Sequence, residues 1–293
     1  MKLKSNIVNL DRLIKKAYEQ KYALVHINSN NLEWTKTILL AAQETNSPII
    51  LSATETSLKY MGGINVFVSM TKALIEDLNI SVPVVIHLDH GSYDACIKCL
   101  QAGFTSVMFD GSKLSFEENC EKSKSLIALT KKYGASLEVE VGAIGGKEDG
   151  INSNGELASL QECIEISKLD ITCLAAGIGN IHGIYPKNWE GLNFDLLSKI
   201  SKNAKVPLVL HGGSGIDEIQ IKKAIELGVA KINVNTELMI AFSDSLKKFY
   251  DETKISDSKS KYYDIRVAFK KPMEEMKKVI IEKLMMSGSY NKA

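Results

Sequence analysis

The chain has 293 residues, 45% of them hydrophobic and 24% charged, enough to bury either one large core or two ordinary ones. Its 36 basic and 35 acidic side chains leave a net charge of +1, which gives no electrostatic reason to expect nucleic acid or a membrane surface as partner. Five cysteines without framework spacing point to reduced thiols and a cytoplasmic location. Residues 1–6 carry no apolar signal core, and no run reaches the roughly 18 apolar residues of a membrane span.

Strand-like and helix-like segments alternate along the chain with little else. Residues 23–28 read as a strand and 32–44 as a helix; 48–54 is a second strand, followed by a helix over 66–78. The apolar run from Val84 ends in Asp89, His90, Gly91 and Ser92 and is the third strand, with a helix over 93–102. Residues 105–110 form the fourth, before a long helix over 115–133 with glutamates early and lysines late, as the helix dipole prefers. Residues 136–141 are the fifth. The glycine- and asparagine-rich segment 142–156 reads as a mobile loop. A helix over 160–168 precedes the sixth strand, 173–177, and a helix over 194–201 leads to the seventh, 207–211. A helix over 218–227 leads to the eighth strand, 231–235, and a helix over 238–250 closes the series.

Eight strands, each followed by a helix, in roughly 250 residues match a TIM (β/α)8 barrel. A doubly wound open sheet is the competitor, but no G-x-G-x-x-G follows the first strand. Residues 1–293 are therefore expected to be one barrel domain. The lysine-rich stretch 254–261 reads as a flexible connection to a helical tail over 267–285, so that 254–293 packs outside the barrel.

The carboxyl ends of barrel strands converge on one face, where the chemistry of this fold is done. An apolar strand that ends in Asp89 and His90 is doing more than packing, although Asp89 could simply cap the next helix. His90, His182 and His211 fall at the ends of strands three, six and seven, so three imidazoles could approach one point, the arrangement of a catalytic zinc site. The bland alternative makes each a separate core or loop histidine. His211-Gly212-Gly213-Ser214-Gly215 follows strand seven, and Asn233-Val234-Asn235-Thr236 ends strand eight. Freed backbone amides, a hydroxyl and a helix N-terminus there can cradle a phosphate. Glu138 and Glu140 share one face of strand five, which places them at the polar mouth; Asp110 ends strand four. Glu148 lies among glycines that would let it swing over the site.

Taken together, His87-Leu88-Asp89-His90-Gly91-Ser92, Glu138-Val139-Glu140-Val141-Gly142, Gly145-Gly146-Lys147-Glu148-Asp149, His211-Gly212-Gly213-Ser214-Gly215 and Asn233-Val234-Asn235-Thr236 resemble the class II, metal-dependent fructose-bisphosphate aldolases, a family that includes tagatose-bisphosphate aldolases. The resemblance runs from about Asn28 to the C-terminus. It implies a lyase of glycolysis and gluconeogenesis that reversibly cleaves fructose 1,6-bisphosphate to dihydroxyacetone phosphate and glyceraldehyde 3-phosphate. It implies Zn2+ held by His90, His182 and His211, with Asp110 and Glu140 as ligands of an alternative metal position. Asp89 is implied as the acid/base, Glu148 as the group exchanging the dihydroxyacetone-phosphate proton, and Asn233 as a contact of the enediolate. Gly183, Gly212, Ser214, Asn235 and Thr236 match the phosphate shell, with a monovalent cation expected beside it. Asn28 and Thr54 match substrate contacts, with threonine in place of serine. Arg266 matches an arginine that reaches a neighbouring subunit's site in a homodimer or larger homo-oligomer, with Ile265 in place of proline.

Cleavage beside a ketone needs an electron sink, either a Schiff-base lysine or a Lewis-acid metal. Lys231 is the one lysine inside a predicted strand. Gly213 favours the fructose epimer over tagatose 1,6-bisphosphate, whereas Thr236-Glu237-Leu238 leans the other way. A metal-dependent barrel hydrolase is the rival of another class; the phosphate cradle and the lack of paired His-x-His ligands on strand one argue against it. Cys96-x-x-Cys99 has no second pair and reads as helix-face thiols. His26 and His87 read as supporting or barrel-interior residues.

Overall fold

The computed structural model describes residues 6–148, 151–256 and 261–293, with the backbone alone for 147, 148 and 151–153. In chain order the elements are α1 (Asp11–Gln20), β1 (Leu24–Asn28), α2 (Leu32–Glu44), β2 (Ile49–Thr54), α3 (Glu55–Tyr60), α4 (Ile64–Asp77), β3 (Val84–Gly91), α5 (Tyr93–Ala102), β4 (Ser106–Phe109), α6 (Phe116–Tyr133) and β5 (Ser136–Val141). They continue with β6 (Gly145–Glu148), β7 (Ile151–Ser153), α7 (Leu160–Ser167), β8 (Cys173–Ala176), β9 (Ile181–His182), α8 (Phe194–Ala204), β10 (Leu208–Leu210), α9 (Glu218–Glu226), β11 (Val229–Val234), α10 (Thr236–Glu252), α11 (Ile265–Ala268) and α12 (Lys270–Met286). Eight strands close into a parallel barrel in the order β1-β11-β10-β8-β5-β4-β3-β2. Among the described residues no helix is long and apolar enough to cross a membrane.

The helices begin where a short polar side chain follows a strand. Asn31, Thr54, Ser92, Ser115, Ser159, Asn193 and Asp217 each accept a backbone N–H of the helix they open. Such caps satisfy an otherwise orphaned donor and contribute about 1 kcal/mol each. Of the helices that follow a barrel strand, α10 alone has no cap from its own N-cap residue, Asn235.

Two apolar cores result. One lies between the barrel and its helices and takes in Met276, Ile280 and Leu284 of α12. The other fills the lower barrel with Leu24, Ile50, Val85, Met108, Cys173 and Val209, sealed from below by Leu10, just before α1, and by Ile14 and Ala17 of α1. Other interior positions are polar: His26, Ser52, His87, Ser106, Glu138, Lys231 and Asn233 are all buried.

Several expectations change. The helices α1 and α3 had no counterpart in the sequence reading. Residues 142–156 are not a structureless loop: β6 pairs antiparallel with β7 and parallel with β9, a small sheet standing on the barrel mouth. Glycines permit that approach, since a Cβ on Gly146 (φ +91) would lie 2.1 Å from the His182 carbonyl. Glu138 is not at the mouth but inside the barrel, fully buried, because Lys231 Nζ pairs with its Oε2 at 2.7 Å. Part of the 254–261 connection lies outside the described residues.

Removing one partner of a buried ion pair strands the other charge, at a cost of about 3–5 kcal/mol. Lys231→Met should therefore lower the unfolding free energy by about that much in urea, and adding Glu138→Gln should recover part of the loss. A single Lys231→Met variant as stable as wild type would mean the pair does not anchor the interior.

Candidate active site

Strand β3 sets the geometry. Strict alternation would turn His90 away from the side that Asp89 faces. The pairing of β3 with β4 slips between Leu88 and Gly91, and His90 takes the left-handed backbone conformation at φ +46. This bulge brings both side chains to the barrel mouth. A positive φ at a non-glycine residue costs on the order of 1–3 kcal/mol and persists only where the surroundings over-determine it.

His90, His182 and His211 do come together. Their candidate ligand atoms all lie within 4.8 Å of one another, and their ring centroids are 4.7, 5.0 and 5.7 Å apart. His182 arrives differently from the expectation: it stands on β9, six residues beyond the end of β8, not on a barrel strand. The tautomers follow from the outer partners. His211 Nε2 donates to Glu138 Oε1 at 2.9 Å, leaving the Nδ1 lone pair to face the site. His90 Nδ1 donates to Asp110 Oδ2 at 3.0 Å, leaving Nε2. Those two inward nitrogens are 3.0 Å apart. A tetrahedral ion with bonds of about 2.0–2.1 Å to nitrogen needs donors roughly 3.3 Å apart, so the set fits a divalent metal.

Asp110 and Glu140 form a second group with His90. Glu140 Oε2 lies 3.6 Å from His90 Nδ1. Burial and the nearby Asp110 push the Glu140 carboxyl up to about 8. Burial acts the same way on Asp110, but the His90 and Ser112 hydrogen bonds outweigh it and hold that group well below the carboxylate range.

Asp89 is buried, with Oδ2 accepting from Asn28 Nδ2 at 2.7 Å and Oδ1 from Asn233 Nδ2 at 3.3 Å. Burial alone would raise its pKa; His90, His211, Lys231 and the Asn28 amide outweigh burial and lower it. The adjoining cleft is lined by Asn28, Thr54, His182, Gly183, Gly212, Ser214, Asn233, Asn235 and Thr236, and also by His26, Asn30, Val234 and Met239, which sequence reasoning did not assign to it. His26 could have been found by alternation, since it shares the inward face of β1 with Asn28.

At the end of the cleft Ser214 Oγ accepts the backbone N–H of Asn235 and Glu237 at 3.2 and 3.4 Å, at the start of α10. Gly212 (φ +63) has no room for a side chain, because a Cβ would lie 2.0 Å from the Ile181 carbonyl. At Gly213 a Cβ would meet Ile232 Cγ2 at 2.4 Å and the Asn233 carbonyl at 2.9 Å. Arg266, expected to reach a neighbouring subunit's site, is not among the residues lining this cleft. Arg266 is exposed on α11, doubly bonded to Asp264 (Nε–Oδ1 3.0 Å, Nη2–Oδ2 2.8 Å). The Glu148 backbone ends β6, and its side chain lies outside the described residues.

The raised Glu140 pKa gives a stability test. The unfolded chain releases this proton near the ordinary value of 4.5, the folded chain near 8, so the metal-free fold loses stability as pH rises across that window. Glutamine is neutral throughout. The gain in melting temperature of Glu140→Gln over wild type, measured with chelator, should be larger at pH 8 than at pH 5. An equal difference at both would show that Glu140 releases its proton at the same pH folded and unfolded.

The family described as Fructose-bisphosphate aldolase class-II matches residues 8–292. The chain is 55% identical over 287 residues to the fructose-bisphosphate aldolase of Mycoplasma genitalium, covering 98% of this chain and 100% of that one. It is 54% identical over 289 residues to that of Ureaplasma parvum, covering 98% and 99%. The crystal structure of the YdjI aldolase of Escherichia coli K12 superposes with a TM-score of 0.83 at 28% identity, covering 98% of this chain and 99% of that one. The chain belongs to the class II fructose-bisphosphate aldolase family.

Proposed function

We propose that the chain cleaves fructose 1,6-bisphosphate between its third and fourth carbons, and runs the reverse condensation, with a zinc ion on His90, His182 and His211. The observation that carries this reading is the convergence of three imidazoles close to the buried carboxylate of Asp89, beside a cleft that His182 and Asn233 help to line and that ends at the N-terminus of α10. When bound, the ion supplies Lewis-acid stabilisation of the charge that develops beside the ketone. Asp89 takes the proton of the fourth-carbon hydroxyl as the carbon–carbon bond breaks; its lowered pKa keeps it ready as a base. Asn28 and Asn233 fix its rotation. Glu148 then protonates the three-carbon fragment from the small sheet, which pairs with the His182 strand. Gly183, Gly212, Ser214, Asn235 and Thr236, which line the cleft together with Thr54, hold the phosphate of that fragment, and a monovalent cation beside it would balance its charge. Gly213 leaves no space for the alanine expected of a tagatose-type enzyme, and Glu237 is taken up structurally by the Gly215 amide and Lys283, so fructose is the favoured epimer.

The purified protein should cleave the fructose epimer faster than the tagatose epimer and lose activity to a chelator. Asp89→Ala should lose cleavage by ~100- to 10,000-fold yet exchange a dihydroxyacetone-phosphate hydrogen with solvent, whereas Glu148→Ala should lose that exchange. Full activity in the metal-stripped protein, or exchange at wild-type rate in Glu148→Ala, would overturn these assignments.

The substrate carries a second phosphate, and no lysine or arginine is among the described residues lining the cleft. We infer that Arg266 of a second copy supplies that cation in a homodimer, opening its pair with Asp264; arginine's fork suits phosphate. Mixing inactive Arg266→Ala and Asp89→Ala subunits should restore part of the activity, because one site of each hybrid is then intact. No recovery after proven subunit exchange would remove Arg266 from the partner's site.

A further inference from the structure

His26 is a buried histidine that neither the metal set nor the phosphate cradle uses. It stands on β1 in register with Asn233 of β11, is 1% exposed, and lines the cleft. Among the described residues neither ring nitrogen has a hydrogen-bond partner. A buried polar group left unmatched costs about 1–3 kcal/mol, so a site that retains one has a use for it once substrate is present. Asp89 Oδ1 lies 3.7 Å from Nε2. That oxygen has spare capacity: its one donor, Asn233 Nδ2, is a long 3.3 Å away, whereas Oδ2 takes a 2.7 Å bond from Asn28. His87 packs edge-on against the ring with centroids 5.3 Å apart and planes at 88°, which fixes the plane in which His26 can act. Burial, then Lys231 and His87, hold His26 well below the usual imidazole range, so it is a neutral ring with a single N–H.

We propose that His26 is a positioning residue for Asp89: its Nε2–H closes the 3.7 Å gap onto Oδ1 when substrate fills the cleft, and locks the rotation of the carboxylate for the carbon–carbon step. Catalytic hydrogen bonds often lie long in the free enzyme and tighten in the complex. His26 keeps its proton throughout; it orients the group that carries one. This inference rests on the reading of Asp89 as the acid/base.

The test separates the donor from the ring. His26→Phe keeps an aromatic of similar volume and removes the N–H; His26→Gln places an amide N–H at a similar reach. His26→Phe should lower kcat for fructose 1,6-bisphosphate about ten- to a hundredfold while dihydroxyacetone-phosphate hydrogen exchange and bound metal per chain stay within about twofold of wild type. His26→Gln should restore most of kcat. Should the phenylalanine variant fold poorly, His26→Met against His26→Gln reads the same comparison. An equal fall in cleavage and exchange, no rescue by glutamine, or wild-type cleavage in His26→Phe would each overturn the proposal. Asp89→Ala run alongside distinguishes the layers: if it cleaves normally, the reading of Asp89 falls and His26 with it, whereas a dead Asp89→Ala beside a fully active His26→Phe removes the role of His26 alone.

Discussion

Glu138 sits where the apolar lower layer of the barrel gives way to the polar one, and three strands meet on its carboxylate. Lys231 of β11 pairs with Oε2 at 2.7 Å, His211 just beyond β10 donates to Oε1 at 2.9 Å, and the carboxylate itself hangs from β5. An ion pair so deep costs desolvation that its own attraction barely repays, and hydrophobic residues could fill the space as well. What those residues could not do is choose a tautomer. With Glu138 accepting from Nε2, His211 must present Nδ1 upward, and Asn233 Nδ2 stands 3.1 Å from that nitrogen. The position of one carboxylate thus decides which face of an imidazole is available to a cation.

The same logic runs through His90. Its inward nitrogen is fixed because Asp110 takes the proton on the other, and Asp110 is itself held by the Ser112 hydroxyl and amide at 2.6 and 3.0 Å. The backbone beneath is strained and bulged, yet the six paired residues joining β3 to β2 on its other side hold it in place. A barrel suits such a site because strand ends are rigid, and the strain of one residue is spread over two neighbouring ladders.

The barrel was legible because its signals are local. Buried parallel strands read as short apolar runs, and a Ser, Thr, Asn or Asp beyond the strand end announces most of the helices. The three histidines stood out because nothing apolar explains an imidazole at a strand end. Long-range facts were not legible. Lys231 and Glu138 are 93 positions apart, and no pattern within either strand says that an acid and a base share one interior layer. Segment 142–156 reads as loop because glycine and asparagine suggest turns; within it glycine instead allows strands to lie against each other with no room for a side chain. Arg266 reads by motif as reaching a neighbouring subunit's site, and nothing in that motif announces the pair it makes with Asp264 two residues earlier.

The small sheet shows how the two halves of the site are joined. His90 and His211 belong to the barrel, whereas His182 stands on β9, which pairs with β6. Glycines press on β9 from two elements: Gly146 from β6, where a Cβ would sit 2.1 Å from the His182 carbonyl, and Gly212 from the loop after β10, where it would sit 2.0 Å from the Ile181 carbonyl. Tyr185 ties the same elements, its hydroxyl donating to the Gly212 carbonyl at 2.9 Å and accepting the Ile181 amide at 3.1 Å. Backbone packed on backbone at that distance leaves no slack, since close-packed interiors transmit displacement rather than absorb it. The cradle loop and the third histidine are therefore one mechanical unit. The strand β6 is paired to that same unit, so the position of His182 relative to the two barrel histidines depends on how the Gly212 loop and the small sheet pack together.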